Sequence, residues 1–508
     1  MYKVIFLLCF IFSLPFGLRA QDTNLPEFDI KQWEVESKLR FLASDELEGR
    51  RAGDRGNDIA ARFIADHFQA LGLKPGASPD SYFQEFALIE QTLPSDFQLI
   101  LEKDMAISPE NLMVLSGKQM DVSSSLVFAE YGWINEETGQ NDYAELDVSG
   151  KIVLSLVGTP ESSYMGMREM YSIAKKKGEI AREHGAIGLI EITQFRLPFS
   201  SLKRYLKSST TLKDDSEDSD FLYVWSSTDA FSVALLDQIK QSEKGMDIKF
   251  KTSGMIQNEM ITKNVIGILE GTDPELKDEY IMLSAHFDHV GAGVKANASR
   301  NYVNNDSIYN GARDNAIGTT AMLIAAQTLA QNPPKRSVAF IAWNAEEMGL
   351  LGSQYYAANP TIPLHQFVYN LNVDGPGYNS TEHVSITGYD KTNVDGLLVQ
   401  AITAFGLGIT ENPAPEQRGY YRSDNITFAK LGIPAIAIHQ GVLQHDAEIK
   451  KYYHQANDDA DSVDMPYAHK FCQIYSYAAR LIADMEATPY WVPGDEFEEA
   501  AKKLYQEE

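Results

Sequence analysis

A chain of 508 residues, 44% hydrophobic and 11% aromatic, is too long for one ordinary domain and can bury a large core. Its formal net charge of -27 repels nucleic-acid phosphates and anionic membrane surfaces, which excludes both as expected partners.

Residues 1–20 read as a cleavable export signal: Lys3, the apolar run 4–18, then Leu18-Arg19-Ala20 before Gln21. Pro15 breaks that run, which is too short for a comfortable membrane span, and no later segment is long and apolar enough to make one. The mature protein is therefore expected in the periplasm or outside the cell. Without Cys9 of the signal, Cys472 is the one cysteine left, so no internal disulfide is expected and Cys472 reads as a small core residue.

Residues 21–89 read as the first part of the main domain. A helical period over 31–44 is followed by a charged, Gly-rich stretch, 45–57, taken as a loop, and by a second helix over 58–73. Residues 90–255 differ in character. Short β-like runs at 124–132, 151–158 and 186–192 surround a helical pattern at 175–186, and the polar stretch 201–220 reads as a surface loop. This part is expected to be an inserted, smaller, β-rich accessory domain.

From 256 to 490 strands and helices alternate. Strands are expected at 264–271, 280–288, 337–345, 367–374, 383–388 and 433–440, and helices at 318–332, 349–359, 394–406 and 466–487. This alternation predicts an α/β fold with a mixed, largely parallel central sheet sandwiched by helices. Residues 491–508 form an acidic tail, read as a short exposed helix.

Metal-binding side chains fall in short motifs across this second half. His286 stands in AHFDHVG, Asp314 in GARDNAIG, Glu347 in WNAEEMG, Asp374 in NVDG and His454 in YYHQANDDAD. Two His, two Asp and one Glu suit two Zn2+ ions with one carboxylate shared, and Asp314, ahead of a helix, is the expected bridge. Asp288 shares a face with His286 and can hold its ring. Asp458 or Asp461 can hold the His454 ring or cap the next helix. Glu346 is left free to take a proton from the attacking water and return it to the leaving amine. Most of these residues lie at or just past a strand end, where ligands gather in such sheets. The chemistry expected is metal-assisted hydrolysis of a peptide bond.

Together these motifs resemble the co-catalytic zinc exopeptidases of the aminopeptidase S and aminopeptidase Y type. The stretch LASDELEGRRAGDRGNDIAARFIADHFQALGLKP (42–75) and RSDNITFAKLGIPAI (422–436) add to the likeness. The resemblance implies that His286 and Asp374 hold one zinc, Glu347 and His454 the other, and Asp314 both. It implies that Glu346 is the general acid/base, that Tyr453 stabilises the oxyanion, and that Arg422 lies near the substrate. It also implies that 90–255 is a protease-associated insert. The sequence departs from the family pattern at Arg313, Ile317, Gly375 and Asn425. The leading expectation is an exported aminopeptidase acting on peptides. The alternatives are a carboxypeptidase or dipeptidase of the same fold, with Arg418 and Arg422 gripping a carboxylate, a single-zinc glutaminyl cyclase, and a metal-free receptor-like binding protein.

Overall fold

The computed structural model describes residues 30–94, 96–160, 167–193, 198–213, 221–242, 244–293 and 306–506. The expected export signal lies outside them. No helix among them is long and apolar enough to cross a membrane.

The main sheet is mixed. Its centre is four parallel strands in the order Ser337–Trp343, Tyr280–His286, Phe367–Val373 and Ala435–Gly441. Ser337–Trp343 is buried at every position, the pattern of a parallel strand covered on both faces. Ile281, Leu283 and Ala285 enter one core with the helices Arg55–Ala70, Ile317–Gln331 and Met465–Ala483. Met282, one step out of phase, enters a second core with Tyr356 and Phe428. The sheet is thus sandwiched by helices on both faces. Antiparallel strands extend it on either side: Ile256–Leu269, Phe83–Thr92 and Ser208–Leu212 beyond Ser337–Trp343, and Ser380–Thr387 beyond Ala435–Gly441.

Local chemistry explains the helix that seals the first core. Asp464 caps Met465–Ala483 by accepting the Tyr467 N–H, and Pro466 occupies the first turn, where no N–H is needed. Cys472 lies buried and unpaired on this helix. Ile317 fills the same core.

Residues 97–252 supply an eight-stranded sheet, in which Met120–Phe128, Ile152–Leu156, Gly188–Thr193 and Leu222–Ser227 run parallel side by side. Inside it Lys177 and Glu191 form a buried ion pair, and Tyr223 and Trp225 donate to the same carboxylate.

Three expectations need correction. Part of 201–220 is ordered structure: Ser208–Leu212 is a strand paired with Phe83–Thr92, and a helix spans Phe199–Tyr205. Its Ser/Thr-rich strand sits on a sheet edge, where polar residues face water and mimic a loop. The stretch 45–57 contains a 3-10 turn, Asp45–Arg50, and the start of the helix Arg55–Ala70. Leu47, Gly49 and Arg50 are buried there despite the charged composition. The C-terminal helix Glu498–Gln506 is docked. Phe497 and Trp491 pack with Tyr420, Lys391 pairs with Asp495 and Glu496, and Tyr505 donates to the Phe367 carbonyl at 2.6 Å.

Candidate active site

The C-terminal ends of the four parallel strands meet at one edge of the sheet. His286 closes Tyr280–His286, Glu346 and Glu347 follow Ser337–Trp343, and Asp374 follows Phe367–Val373. Asp314 comes from the wide turn Ala312–Ala316 ahead of Ile317–Gln331. His454 comes from the loop after the short helix Ala447–Tyr452. His286 Nε2 lies 3.0 Å from Asp374 Oδ1 and 3.4 Å from Asp314 Oδ1. His454 Nε2 lies 3.2 Å from Asp314 Oδ2 and 3.1 Å from Glu347 Oε2. Asp314 therefore stands between two clusters, with one oxygen toward each.

Two further residues hold these groups from behind. The Asp458 carboxylate accepts the N–H of Arg313 at 3.0 Å and of Asp314 at 3.3 Å. The Asp288 carboxylate accepts the N–H of Glu346 at 3.1 Å and of Glu347 at 3.3 Å. Asp288 was expected to orient His286 through its side chain. That carboxylate is 3.8 Å from His286 Nδ1, and the nearer acceptor is the Asp288 carbonyl at 3.2 Å. A fully buried carboxylate needs strong donors, and the two backbone amides supply them. Burial pushes both the Asp288 and Asp458 carboxyls up to about 7. Asp461, the other acid expected near His454, instead pairs with Arg40, its Oδ1 2.8 Å from the guanidinium.

Electrostatics separate the two adjacent glutamates. Burial drives the Glu346 carboxyl well above its ordinary range. His286 opposes this, while Asp374 and Glu347 reinforce it. Burial acts on Glu347 too, but His454 and His289 outweigh it and hold that group at about 2. A proton-accepting group thus sits next to a firmly ionised one, the arrangement a general base beside a ligand requires.

Sequence reasoning gave no role to His289 or Arg50. His289 is buried, its Nδ1 2.7 Å from Glu347 Oε1 yet out of line for a hydrogen bond. Its place three residues after His286 was the available signal. Two lone-pair atoms held this close without a proton in line suit a shared cation. His286, Asp314 and Asp374, and likewise His289, Asp314 and Glu347, converge closely enough to hold an ion. The residues present therefore fit a pair of metals. The Arg50 guanidinium donates to the carbonyls of Phe287 at 2.8 Å, Asn310 at 2.5 Å and Gly311 at 3.1 Å, and also to Leu42. It ties the His286 loop to the Asp314 loop and places a positive charge behind four carboxylates.

The family departures have physical partners here. The Arg313 guanidinium lies between the rings of Tyr452, 3.6 Å away, and Tyr378, 4.3 Å away, and donates to the Ser462 carbonyl. Gly375 leaves room for His439: a Cβ there would fall 2.7 Å from the His439 Cβ. Asn425 donates to the Tyr420 carbonyl at 3.2 Å.

A cavity opens above the cluster, lined by Asp314, Glu346, Glu347, Asp374, Tyr453, His454 and Arg422. Tyr453 stacks on His454, ring centroids 4.1 Å apart, and Arg422 Nη2 donates to its Oη at 3.4 Å. Arg418 does not line this cavity; its guanidinium lies 4.9 Å from the Tyr421 ring.

Residues 264–479 match the model of peptidase family M28. Aminopeptidase YwaD of Bacillus subtilis (strain 168) is 24% identical over 210 residues, covering 40% of this chain and 40% of that protein. Aminopeptidase Y of Saccharomyces cerevisiae is 29% identical over 216 residues, covering 40% of this chain and 35% of that protein. The matches thus span well under half of those relatives' lengths. The solved structure of an aminopeptidase from Aneurinibacillus sp. strain AM-1 superposes with a TM-score of 0.55 at 20% identity, covering 90% of this chain and 95% of that one. At that identity the likeness speaks for the fold, a mixed α/β architecture.

Proposed function

We propose that the chain is an exported two-zinc aminopeptidase that removes N-terminal residues from peptides. One observation carries the reading: Asp314 presents one oxygen to His286 and the other to His454, while Glu346 lines the same cavity. His286 and Asp374 would hold one ion, Glu347 and His454 the other, and Asp314 both. Bound there, the zinc pair would supply Lewis acidity to the scissile carbonyl and to the attacking water.

The remaining work falls to side chains. Glu346, with its raised affinity for a proton, takes one from the water and delivers it to the leaving amine. Tyr453, its hydroxyl beside Arg422, is positioned to donate to the developing oxyanion. Asp288 and Asp458 keep the backbones of 346–347 and 313–314 in place. The carboxylates of Glu346 and Asp374 favour a free α-amino group at this end of the cavity, and the names of the relatives point the same way. Arg422 favours the runner-up, a carboxypeptidase, because a guanidinium grips carboxylates. Residues 1–20 would direct the chain out of the cytoplasm, and N-terminal sequencing of the mature protein should begin near Gln21.

The test is a panel of free and N-acetylated peptides with and without chelator. Chelator-sensitive release of N-terminal residues from the free peptides alone is expected. C-terminal trimming of acetylated peptides at equal rate would replace this reading with the carboxypeptidase.

A further inference from the structure

Beyond the metal cluster the cavity has a floor with no assigned function. It is built by Thr387, Ala437 and His439, with Gly375 beside them. Ala437 and His439 alternate along Ala435–Gly441 and face the same way, and Thr387 lies opposite Ala437 across the antiparallel pair. His439 is only 4% exposed. Its Nδ1 lies 3.2 Å from the Gln440 carbonyl, which can only accept, so the proton sits on Nδ1 and Nε2 keeps its lone pair. Nε2 has no hydrogen-bond partner among the described residues. That nitrogen is not fully enclosed, and His439 lines the cavity. Thr387 Oγ1 donates to the Ala437 carbonyl at 3.4 Å, which leaves its lone pairs free as well. Gly375 makes this arrangement possible, because any side chain there would displace the imidazole.

We infer that His439 sets side-chain specificity, and that the floor selects substrates whose N-terminal residue carries a hydrogen-bond donor, such as a hydroxyl or a carboxamide. This deepens the aminopeptidase reading and rests on it. An aliphatic side chain of the same shape would leave the buried imidazole acceptor unpaired, and sites built to pair a substrate hydroxyl or amide discriminate strongly against analogues that lack it. Threonine and valine are nearly equal in shape and differ in this one respect.

The experiment compares Thr-Ala-Phe with Val-Ala-Phe on the zinc-loaded full chain and on His439→Leu. The threonyl peptide is expected to be favoured at least about tenfold in kcat/KM, and the preference to vanish or invert in His439→Leu with metal content unchanged. A wild-type ratio at or below one overturns the proposal, and this comparison does not depend on the variant folding. Calorimetric binding of free threonine and free valine gives a second readout that does not need turnover. If no peptide of any N-terminal residue is cleaved, the aminopeptidase reading fails. The binding ratio then decides the floor's preference by itself: threonine tighter supports it, and equal or weaker binding overturns it.

Discussion

Arg50 donates to the carbonyl of Phe287 at 2.8 Å, so a residue from the N-terminal segment fixes the strand end that carries His286. The same guanidinium holds Asn310 and Gly311 just ahead of Asp314. It makes no carboxylate contact within the ion-pair range among the described residues; its charge is offset at longer reach by Asp288, Asp458, Asp314 and Glu347.

Arg50→Met should therefore destabilise the protein and loosen its metals. It strips the donor from four buried carbonyls, and a loss of at least about 3 kcal/mol is expected. Arg50→Lys keeps the charge but lacks the fork and should fall between. Scanning calorimetry and metal retention on dialysis read both effects together. A variant with unchanged melting temperature would refute the role assigned to Arg50.

Glu346→Gln should leave metal content near the wild-type value and lower kcat by about 10²–10⁴, the scale of a lost general acid/base. His454→Ala should instead lose metal. Steady-state kinetics beside elemental analysis separates the two.

Acid should weaken the fold through His67. Its ring lies 3.1 Å from the Leu323 carbonyl, and burial, with Lys38 nearby, lowers its pKa from 6.5 to about 4. Between those values the unfolded chain binds a proton that the folded chain refuses, so stability falls as pH drops from 6.5 toward 4. The contribution amounts to about 2–3 kcal/mol. In metal-free protein, His67→Gln should flatten the pH dependence of denaturant midpoints over that window. A slope equal to wild type would contradict this.

Lys177→Met should destabilise the eight-stranded sheet, because it leaves Glu191 buried without its cation. Breaking such a pair from one side costs about 3–5 kcal/mol. Turnover per folded molecule should be unchanged, since neither residue lines the cavity. Hydrogen exchange of 97–252 checks the first point, and active-site-normalised kinetics the second.

The site was legible where chemistry concentrates in short motifs. His286, Glu346, Glu347 and Asp374 stand out because carboxylates and imidazoles at the ends of apolar strands need a partner, and Asp314 and His454 stand out through the short motifs around them. The alternation of strands and helices revealed the α/β class for the same reason, since a buried parallel strand such as Ser337–Trp343 is apolar throughout. Arg50 escaped notice because its partners are backbone carbonyls, which leave no trace in composition. Ser208–Leu212 escaped because an edge strand that faces water has the composition of a loop. The docking of Glu498–Gln506 depends on Tyr420, Lys391 and Phe367, distant residues that no local pattern connects to it. The link between Gly375 and His439 is of the same kind: the missing side chain was visible, and the imidazole that uses its space was not.

The account stands most directly on Asp314 serving two ions at once. Elemental analysis of zinc-loaded wild-type protein and of Asp314→Ala, each dialysed against metal-free buffer, tests it. The account expects close to two zinc ions per wild-type chain and the loss of both, or nearly both, from the variant. A wild-type chain that retains one ion or none, or a variant that still holds two, would contradict it.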